Sequence, residues 1–211
     1  MPDDVYGVNT PRAYHHGDLR RALVEAGFEI LEAEGREALT LRSVSDRTGV
    51  SKMAPYRHFA DKSALLTAIG QHGFVLLRDR LKRVDEGADP RKALVDLATA
   101  HIEFAIEHPD LFRLMFGPDP QIGGDQADLT DNPDTAFGIL ARRIRQVFPK
   151  AEIGVATLSC WSFVHGLATL AIDRRLRPPP EDLQAVARGA AAFLIGRLAD
   201  SSNSSNPQEH G

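Results

Sequence analysis

The sequence predicts an all-α chain with a small N-terminal helical unit and a larger C-terminal helical bundle. Few stretches of the 211 residues alternate apolar and polar residues as a strand does, whereas apolar residues recur at helical spacing almost from end to end. Helix-breaking residues stand where that spacing stops, at Gly35, at residues 87–90 and at Pro109. We therefore expect short capped helices in the first third of the chain and longer helices after it.

The first predicted helix has apolar residues on two nearly opposite sides. Asp18 can serve as its N-cap, and Gly35 is suited to the left-handed turn that ends many helices. One apolar stripe consists of Leu19, Leu23, Ala26, Ile30 and Ala33, and the other of Val24, Phe28 and Leu31. A helix of this kind is covered from both sides, so we expect it to join the N-terminal unit to the bundle.

Two short helices and a tight turn follow. Thr40 is a candidate N-cap for a helix over residues 41–47, and Ser51 for a second helix that ends near Phe59, with Thr48-Gly49-Val50 as the turn between them. Two such helices between supporting helices have the sequence form of a helix-turn-helix. The alternative interpretation is a pair of solvated surface helices in a bundle.

The rest of the chain predicts long helices separated by clear breaks. Asp61 can cap a helix that ends at Gly87-Ala88-Asp89-Pro90, and residues 117–134 predict an acidic loop with little to bury. Small residues on the last two helices permit close helix approach, as in a bundle core or a subunit interface. The elements predicted after residue 89 are helices over about 90–108, 135–148, 151–176 and 181–198, with a short apolar segment at 111–116.

Charge is distributed unevenly. The net charge is −4, but residues 12–83 hold 13 Lys and Arg against 9 Asp and Glu, whereas the remainder holds 12 against 20. A basic N-terminal part on an acidic remainder is typical of a nucleic-acid-binding head on a body of other function, although chance scatter of surface charge is an equal alternative.

The single Cys160 excludes an internal disulfide. No apolar run was recognised as long enough to cross a membrane, so we expect a cytoplasmic protein without a membrane partner.

The residues of the two short helices suit phosphate binding and base reading. Residues 40–62 contain five basic side chains against two acidic ones, with Tyr56 and His58 between them. Cationic donors, hydroxyls and helix N-termini bind phosphates, and side chains at the front of a helix can reach base edges in the major groove. Ser51, Lys52 and Met53 stand at that front.

A family resemblance follows from these residues. The stretch from Tyr14-His15-His16-Gly17-Asp18-Leu19-Arg20 to Leu66, with Leu39-Thr40-Leu41-Arg42 and Gly49-Val50-Ser51-Lys52-Met53-Ala54-Pro55-Tyr56-Arg57-His58-Phe59-Ala60-Asp61-Lys62, resembles the DNA-binding domain of the TetR (tetracycline-repressor) family. Trp161-Ser162-Phe163-Val164-His165-Gly166 and His108-Pro109-Asp110-Leu111-Phe112 resemble the C-terminal ligand-binding domain of one TetR subgroup.

The resemblance implies a role for individual residues. It assigns phosphate contacts to Thr40, Ser51, Tyr56, His58 and Lys62, and base-edge contacts to Arg42, Lys52 and Met53. Arg42 is the predicted partner of a guanine, because its planar fork can pair with O6 and N7 together. The chain departs from the family at Met53, where a smaller residue is common, and at Ser45, where a small apolar residue is usual.

The resemblance also implies a dimer and a domain division. Family members dimerise through their last two long helices, which correspond here to residues 151–176 and 181–198. The predicted parts are a flexible arm (1–13), a helix-turn-helix DNA-binding domain (14–62), a connecting helix (63–87), an effector-binding and dimerisation domain (88–200) and a disordered tail (201–211).

Aromatic and histidine side chains of the C-terminal part predict a ligand pocket. Trp161 and His165 lie four residues apart on one helix face. The predicted lining is His101, Phe104, Phe112, Met115, Phe116, Trp161 and His165. An alternative is that Trp161 and His165 are packed structural residues. The lining is mostly apolar and aromatic, so we mildly favour an apolar or aromatic effector of unknown identity.

The sequence thus predicts a repressor that a small molecule releases from a pseudo-palindromic DNA operator, with half-sites ~34 Å apart. The runner-up is an all-α enzyme or ligand carrier with a helix-turn-helix-like head, but no catalytic motif, cofactor motif or metal-binding cluster supports it. A constitutive architectural DNA binder is a third alternative. Activation instead of repression depends on the position of the operator and is a fourth.

Overall fold

The computed structural model describes residues 16–118, 122, 132–149, 152–176 and 182–204, and within these ranges the chain is helical without a strand. The all-α prediction is confirmed. The α-helices are α1 (His16–Glu34), α2 (Leu41–Thr48), α3 (Lys62–Val84), α4 (Pro90–Glu107), α5 (Pro109–Met115), α6 (Ala136–Val147), α7 (Ile153–Ile172) and α8 (Leu183–Ser204), with a 3₁₀ helix at Pro55–Arg57. The predicted arm at 1–13, and most of the predicted acidic loop and tail, lie outside the described residues.

Side-chain caps begin the helices of the N-terminal part. Thr40 and Ser43 form a capping box at α2, in which Ser43 N donates to Thr40 Oγ1 at 2.9 Å and Thr40 N donates to Ser43 Oγ at 2.9 Å. Gly49 ends α2 with a φ of 68°, a left-handed conformation that glycine adopts without steric cost. Asp61 caps α3 as predicted, through Ala64 N at 2.8 Å. Because α1 begins at His16, Asp18 lies in its first turn and not at its N-cap.

The second helix of the predicted helix-turn-helix is shorter than expected. Only Pro55–Arg57 is regular, as a 3₁₀ helix, where a helix over residues 51–59 was predicted. Proline has no backbone N–H, so Pro55 cannot donate to the Ser51 carbonyl as an α-helix requires. That carbonyl instead accepts from Ala54 N at 2.9 Å, which tightens the turn to 3₁₀ geometry.

One continuous apolar core joins the two parts of the chain. In the N-terminal part, α1 packs on α2 and α3, and its buried side chains include Leu23 and Ile30. In the C-terminal part, α4 contacts α3, α5, α6, α7 and α8, and most of its length is buried. Because α1 also contacts α5, it is covered from both sides, as its two apolar stripes predicted.

Ion pairs attach the long α3 to the C-terminal bundle. Asp85, whose side chain is only 3% exposed, accepts from both Arg142 and Arg143 of α6. Arg80 of α3 pairs with Glu103 and Glu107 of α4. These contacts fix the C-terminal end of α3 against α4 and α6.

The helix α7 corrects one expectation from the sequence. Ile153–Ile172 is long and apolar enough to cross a membrane, with a mean hydropathy of 1.5 over its most apolar window, and no other helix of the described residues is. Only 17% of that window is buried within this chain. The apolar run was missed because Thr157, His165 and Gly166 interrupt it. The core helix of a soluble protein can pass the same test of length and composition.

Candidate functional site

The side chains predicted to contact DNA lie on an exposed polar surface around α2 and the 3₁₀ helix, which contact each other. We call this the N-terminal surface; its members are Thr40, Arg42, Ser51, Lys52, Met53, Tyr56, His58 and Lys62. All of these are exposed except His58 and Lys62, which are partly buried. The structure therefore leaves most of the predicted contact residues accessible to a partner.

Two members of the N-terminal surface are large, apolar and exposed. Met53 is 66% exposed and Tyr56 is 53% exposed. Scattered exposed apolar residues need no explanation, but here two of them stand three residues apart among basic and hydroxyl side chains. This composition suits a contact surface that offers apolar and polar groups together, such as a thymine methyl and a phosphate require.

The charged members differ in how far they are already engaged. The Arg42 side chain is 72% exposed, and its Nε lies 3.9 Å from Asp46, a loose and solvated pair. Lys62 Nζ donates to the Arg36 carbonyl oxygen at 3.0 Å, which uses one of its three donors and leaves two. Arg42 is thus free to turn toward a partner, whereas Lys62 is already held in position.

Contacts behind the N-terminal surface hold α2 against α1. Arg47 bridges Glu34 at 2.5 Å and Glu29 at 3.6 Å, both on α1. The fully buried Ser45 donates through Oγ to the Arg42 carbonyl oxygen at 2.7 Å. The departure from the family at Ser45 therefore has a local account, because the hydroxyl is satisfied by its own helix.

A second candidate site is a cavity of about 40 Å³ within the C-terminal bundle. Its lining contains no charged side chain. The lining residues are Leu81, Leu94, Leu97, Ala98, His101, Ala136, Leu140, Cys160, Trp161, Phe163, Val164, Ala191, Leu194 and Ile195. They come from α3, α4, α6, α7 and α8, so the shape of the cavity depends on how these helices pack.

Two of the seven predicted pocket residues line this cavity, and three more contact them. His101 and Trp161 line it, with ring centroids 5.0 Å apart. Phe112 packs on His101 at 5.5 Å, and Phe116 packs on His165 at 4.7 Å. We call these five residues the aromatic cluster. Trp161 and His165 are both packed against other rings, and Trp161 also lines the cavity; whether either residue contacts a ligand stays a prediction.

Phe104 and Met115 do not line the cavity. Phe104 packs against His108 at a centroid distance of 5.1 Å. Met115 packs against α3 at Gly73, where an added Cβ would lie only 2.6 Å from the Met115 sulfur. The sequence could not show this, because apolar residues near His101 and Phe112 in the chain project from different sides of α4 and α5.

The sequence reasoning missed most of the aliphatic lining. Leu94, Leu97 and Ala98 precede His101 by one to two helical turns and were recognised only as part of an apolar stripe. That stripe was the available signal, since residues on one helix face share an environment. Of the lining residues on α8, Ala191 stood out only as a small residue, and Leu194 and Ile195 carried no signal.

Burial keeps the titratable groups near the cavity uncharged. It lowers the pKa of His101 to about 3, with the nearby His165 as a smaller cause. It also lowers the pKa of His165, and it raises the pKa of the Cys160 thiol to about 11. At neutral pH the two imidazoles are neutral and the thiol is protonated, so the cavity offers hydrogen bonds but no charge.

An exposed helix-turn-helix joined to a larger helical bundle defines a DNA-binding protein of the helix-turn-helix class. The family model described as "Bacterial regulatory proteins, tetR family" matches residues 23–69, and "Tetracyclin repressor-like, C-terminal domain" matches residues 94–194. Together these ranges include more than two thirds of the chain. The chain belongs to the TetR family, whose members are DNA-binding transcriptional regulators.

Relatives extend this likeness over nearly the whole chain. The uncharacterised HTH-type transcriptional regulator YobS of Bacillus subtilis is 20% identical over 188 residues, which are 89% of this chain and 96% of YobS. The class G tetracycline repressor of Vibrio anguillarum is 32% identical over 100 residues, 46% of each chain.

Solved structures share the fold. A protein of unknown function from Rhodococcus sp. RHA1 superposes with a TM-score of 0.72 at 28% identity, covering 89% of this chain and 98% of that one. A TetR variant from Acinetobacter baumannii AYE in complex with minocycline superposes with a TM-score of 0.61 at 22% identity, covering 90% and 98%. The second likeness, at this identity, shows the fold alone.

Proposed function

We propose that this regulator is a homodimeric repressor that leaves a pseudo-palindromic operator when a small molecule occupies the cavity. The separation of its two sites carries the proposal. The N-terminal surface is exposed and polar, whereas the cavity lies among α3, α4, α6, α7 and α8 and its lining lacks charge. A ligand in the cavity touches no member of the N-terminal surface, so it acts on DNA binding through the helices between. The TetR variant with bound minocycline supports the proposal by analogy.

On the operator, the N-terminal surface divides into two groups. Basic and hydroxyl side chains hold phosphates and set the register, whereas Arg42, Lys52 and Met53 face base edges. The proposed phosphate contacts are Thr40, Ser51, Tyr56, His58 and Lys62. Arg42 is the proposed guanine reader, because its exposed guanidinium is only loosely paired with Asp46. Such a protein acts in the bacterial cytoplasm, where the chromosome lies.

The apolar face of α7 and α8 supports the dimer. Phe193 of α8 is 70% exposed and Val155 of α7 is 57% exposed within one chain. The other large exposed apolar side chains of these helices are Leu158, Leu170 and Val186. Large exposed apolar side chains on two helices that contact each other are typical of a protein–protein interface. A second copy would cover it by a self-complementary twofold contact, and the exposed α7 then needs no membrane.

A chain of contacts joins the cavity to the N-terminal part. His101, in the cavity wall, packs on Phe112 of α5. At the start of α5, His108 Nδ1 lies 2.8 Å from Glu32 Oε2 of α1, and Leu111 N donates to Glu32 Oε1 at 3.3 Å. A ligand that shifts the aromatic cluster therefore displaces α5, and the Glu32 carboxylate connects α5 to α1. Coupling of ~1–3 kcal/mol through such a path would lower operator affinity 5- to 150-fold.

The test is a fluorescence-anisotropy titration against the DNA upstream of the gene, with a scrambled sequence of equal length. Native protein should prefer the upstream DNA, with an affinity that falls steeply as salt rises. Arg42→Ala should lose about 1–3 kcal/mol of binding and relax base choice, because a bidentate base contact is removed. Lys62→Ala should weaken both sequences alike.

The matched control is Arg145→Ala, which removes one positive charge from an exposed position of α6, outside the N-terminal surface. It should bind as the native protein does. Equal weakening by Arg42→Ala and Arg145→Ala would mean that only net charge matters, and the base-reading role of Arg42 would be lost. Equal native affinity for upstream and scrambled DNA would contradict an operator at this place.

A further inference from the structure

Unsatisfied polar atoms are concentrated in and beside the wall of the cavity: His101 lines it, and Thr157 and His165 lie one helical turn before and after the lining residue Trp161. In the described part of the chain, four buried side-chain polar atoms lack a hydrogen-bond partner, and three of them belong to α4 and α7: His101 Nε2, Thr157 Oγ1 and His165 Nδ1. These two helices pack on each other. Thr157, Trp161 and His165 follow at intervals of four and share one face of α7. The His101 ring lies 5.0 Å from Trp161 and 6.2 Å from His165.

Two other threonines of the C-terminal bundle form the hydrogen bond that Thr157 lacks. A threonine within a helix commonly donates to the carbonyl four residues earlier, as Thr99 does to Val95 at 2.8 Å and Thr169 does to His165 at 2.9 Å. Thr157 is fully buried and makes no such bond. A buried polar group without a partner destabilises the folded state, so the unpaired His101 in the cavity wall, with two more unpaired groups beside that wall, points to a partner that enters the cavity.

The charge of that partner is restricted by the cavity wall. No lining side chain carries a charge, and burial lowers the pKa values of His101 and His165, so both rings are neutral at neutral pH. A carboxylate or an ammonium group would lose its hydration there without gaining a counterion. A neutral imidazole offers one N–H donor and one acceptor nitrogen, which suits a hydroxyl or a carbonyl group.

We propose that the cavity binds an uncharged, mainly apolar molecule whose hydroxyl or carbonyl group hydrogen-bonds to the His101 imidazole, with His165 and Thr157 as further polar partners. This inference rests on the proposed function, since it assigns the chemical class of the effector. The cavity of about 40 Å³ is smaller than the ~150 Å³ that holds benzene in an engineered protein. Side chains of the wall must therefore move, and Trp161, which is only partly buried, is the one that reports it.

Trp161 is the single tryptophan of the chain, so its fluorescence measures binding without a label. We would titrate the full-length protein with benzyl alcohol, ethylbenzene and benzoate, which share a benzene ring and differ in its single substituent. Cyclohexylmethanol, ethylcyclohexane and cyclohexanecarboxylate repeat the comparison on a saturated ring. In both series the alcohol should bind about tenfold more tightly than the hydrocarbon, as one net hydrogen bond predicts, and the carboxylate should bind most weakly.

Substitutions at the cavity wall test the partner. His101→Phe keeps a ring and removes both nitrogens, so it should abolish the preference for the alcohol while raising the midpoint of thermal unfolding. Thr157→Val replaces one hydroxyl by a methyl group and should reduce the preference for the alcohol over the hydrocarbon. This second variant tests the inference if His101→Phe does not fold. His72→Phe is the matched control, because His72 is a partly buried histidine that does not line the cavity. It should leave the preference unchanged.

Three results would overturn the inference: equal affinity for alcohol and hydrocarbon, tightest binding of the carboxylate, or no fluorescence change with any of the six probes. Operator binding, measured on the same preparations, separates this inference from the proposed function. Loss of operator specificity with an intact alcohol preference would refute the repressor and leave the cavity chemistry standing. Alcohol binding that never changes operator affinity would remove the effector role alone.

Discussion

Replacing Phe193 with aspartate should convert the proposed dimer to monomers. A phenylalanine side chain offers roughly 200 Å² of apolar surface, and 70% of Phe193 is exposed within one chain. If a second copy covers that area, its burial stabilises the interface by about 3.5 kcal/mol per protomer at 25 cal/mol per Å². The twofold symmetry places the substitution in the interface twice.

The expected change in the dimer dissociation constant follows from this area. Since each 1.4 kcal/mol is tenfold, one ring's contribution corresponds to roughly a 300-fold rise, and loss of both symmetry-related rings to roughly a 100,000-fold rise. The buried aspartates add a desolvation penalty in the same direction. Sedimentation velocity over a dilution series should therefore show native dimers and Phe193→Asp monomers at the same micromolar concentrations.

Two controls sharpen this test. Val75→Asp introduces the same charge at an apolar position of α3 that is 40% exposed, and it should leave the dimer intact. Circular dichroism should show that Phe193→Asp retains its helix content. A native protein that is monomeric throughout the series, or a Phe193→Asp protein that stays dimeric, would refute the assignment of the α7 and α8 face to the interface.

Three further substitutions address stability and coupling. Asp85→Ala removes the carboxylate that pairs with the Arg143 guanidinium, whose side chain is only 11% exposed. Urea unfolding at fixed protein concentration should therefore show a free energy of unfolding lower by about 3–5 kcal/mol, and a decrease under 1 kcal/mol would contradict this prediction. The pKa of His101 falls from 6.5 to about 3 on folding, so the unfolded chain takes up this proton first as pH falls. The free energy of unfolding should therefore decline from pH 6.5 downward more steeply in the native protein than in His101→Phe. Glu32→Gln keeps its shape but loses the charge facing His108, so it should bind the operator normally yet respond less to the effector; an unchanged response would exclude this carboxylate from the coupling path.

Local chemistry made much of the fold predictable from the sequence. Thr40 and Asp61 are N-caps as expected, and Gly49 ends α2 in the left-handed conformation that the turn requires. Each of these features depends on residues within four positions, so the sequence alone contains it. The difference at residues 51–59 is also local, because Pro55 has no N–H to donate to the Ser51 carbonyl.

The candidate sites were less predictable because they depend on the packing of distant segments. The cavity joins Leu81 of α3 to Ile195 of α8, and no periodicity along the chain specifies which faces of five helices converge. His101 and Trp161 were found because a histidine and a tryptophan in apolar stripes are conspicuous. The aliphatic lining was not, since its residues look like any core.

Three features of the chain oppose the usual rules of a folded monomer, and each lies at a different proposed contact. Met53 and Tyr56 expose large apolar groups on the N-terminal surface, and Phe193 does so on α8. His101 leaves a buried nitrogen unpaired beside the cavity. A sequence selected only for stability would remove all three, because polar residues on the surface and an apolar ring in the core would stabilise the monomer. Their separation on three surfaces is what a protein with three kinds of partner requires: DNA, a second copy of itself and an uncharged ligand.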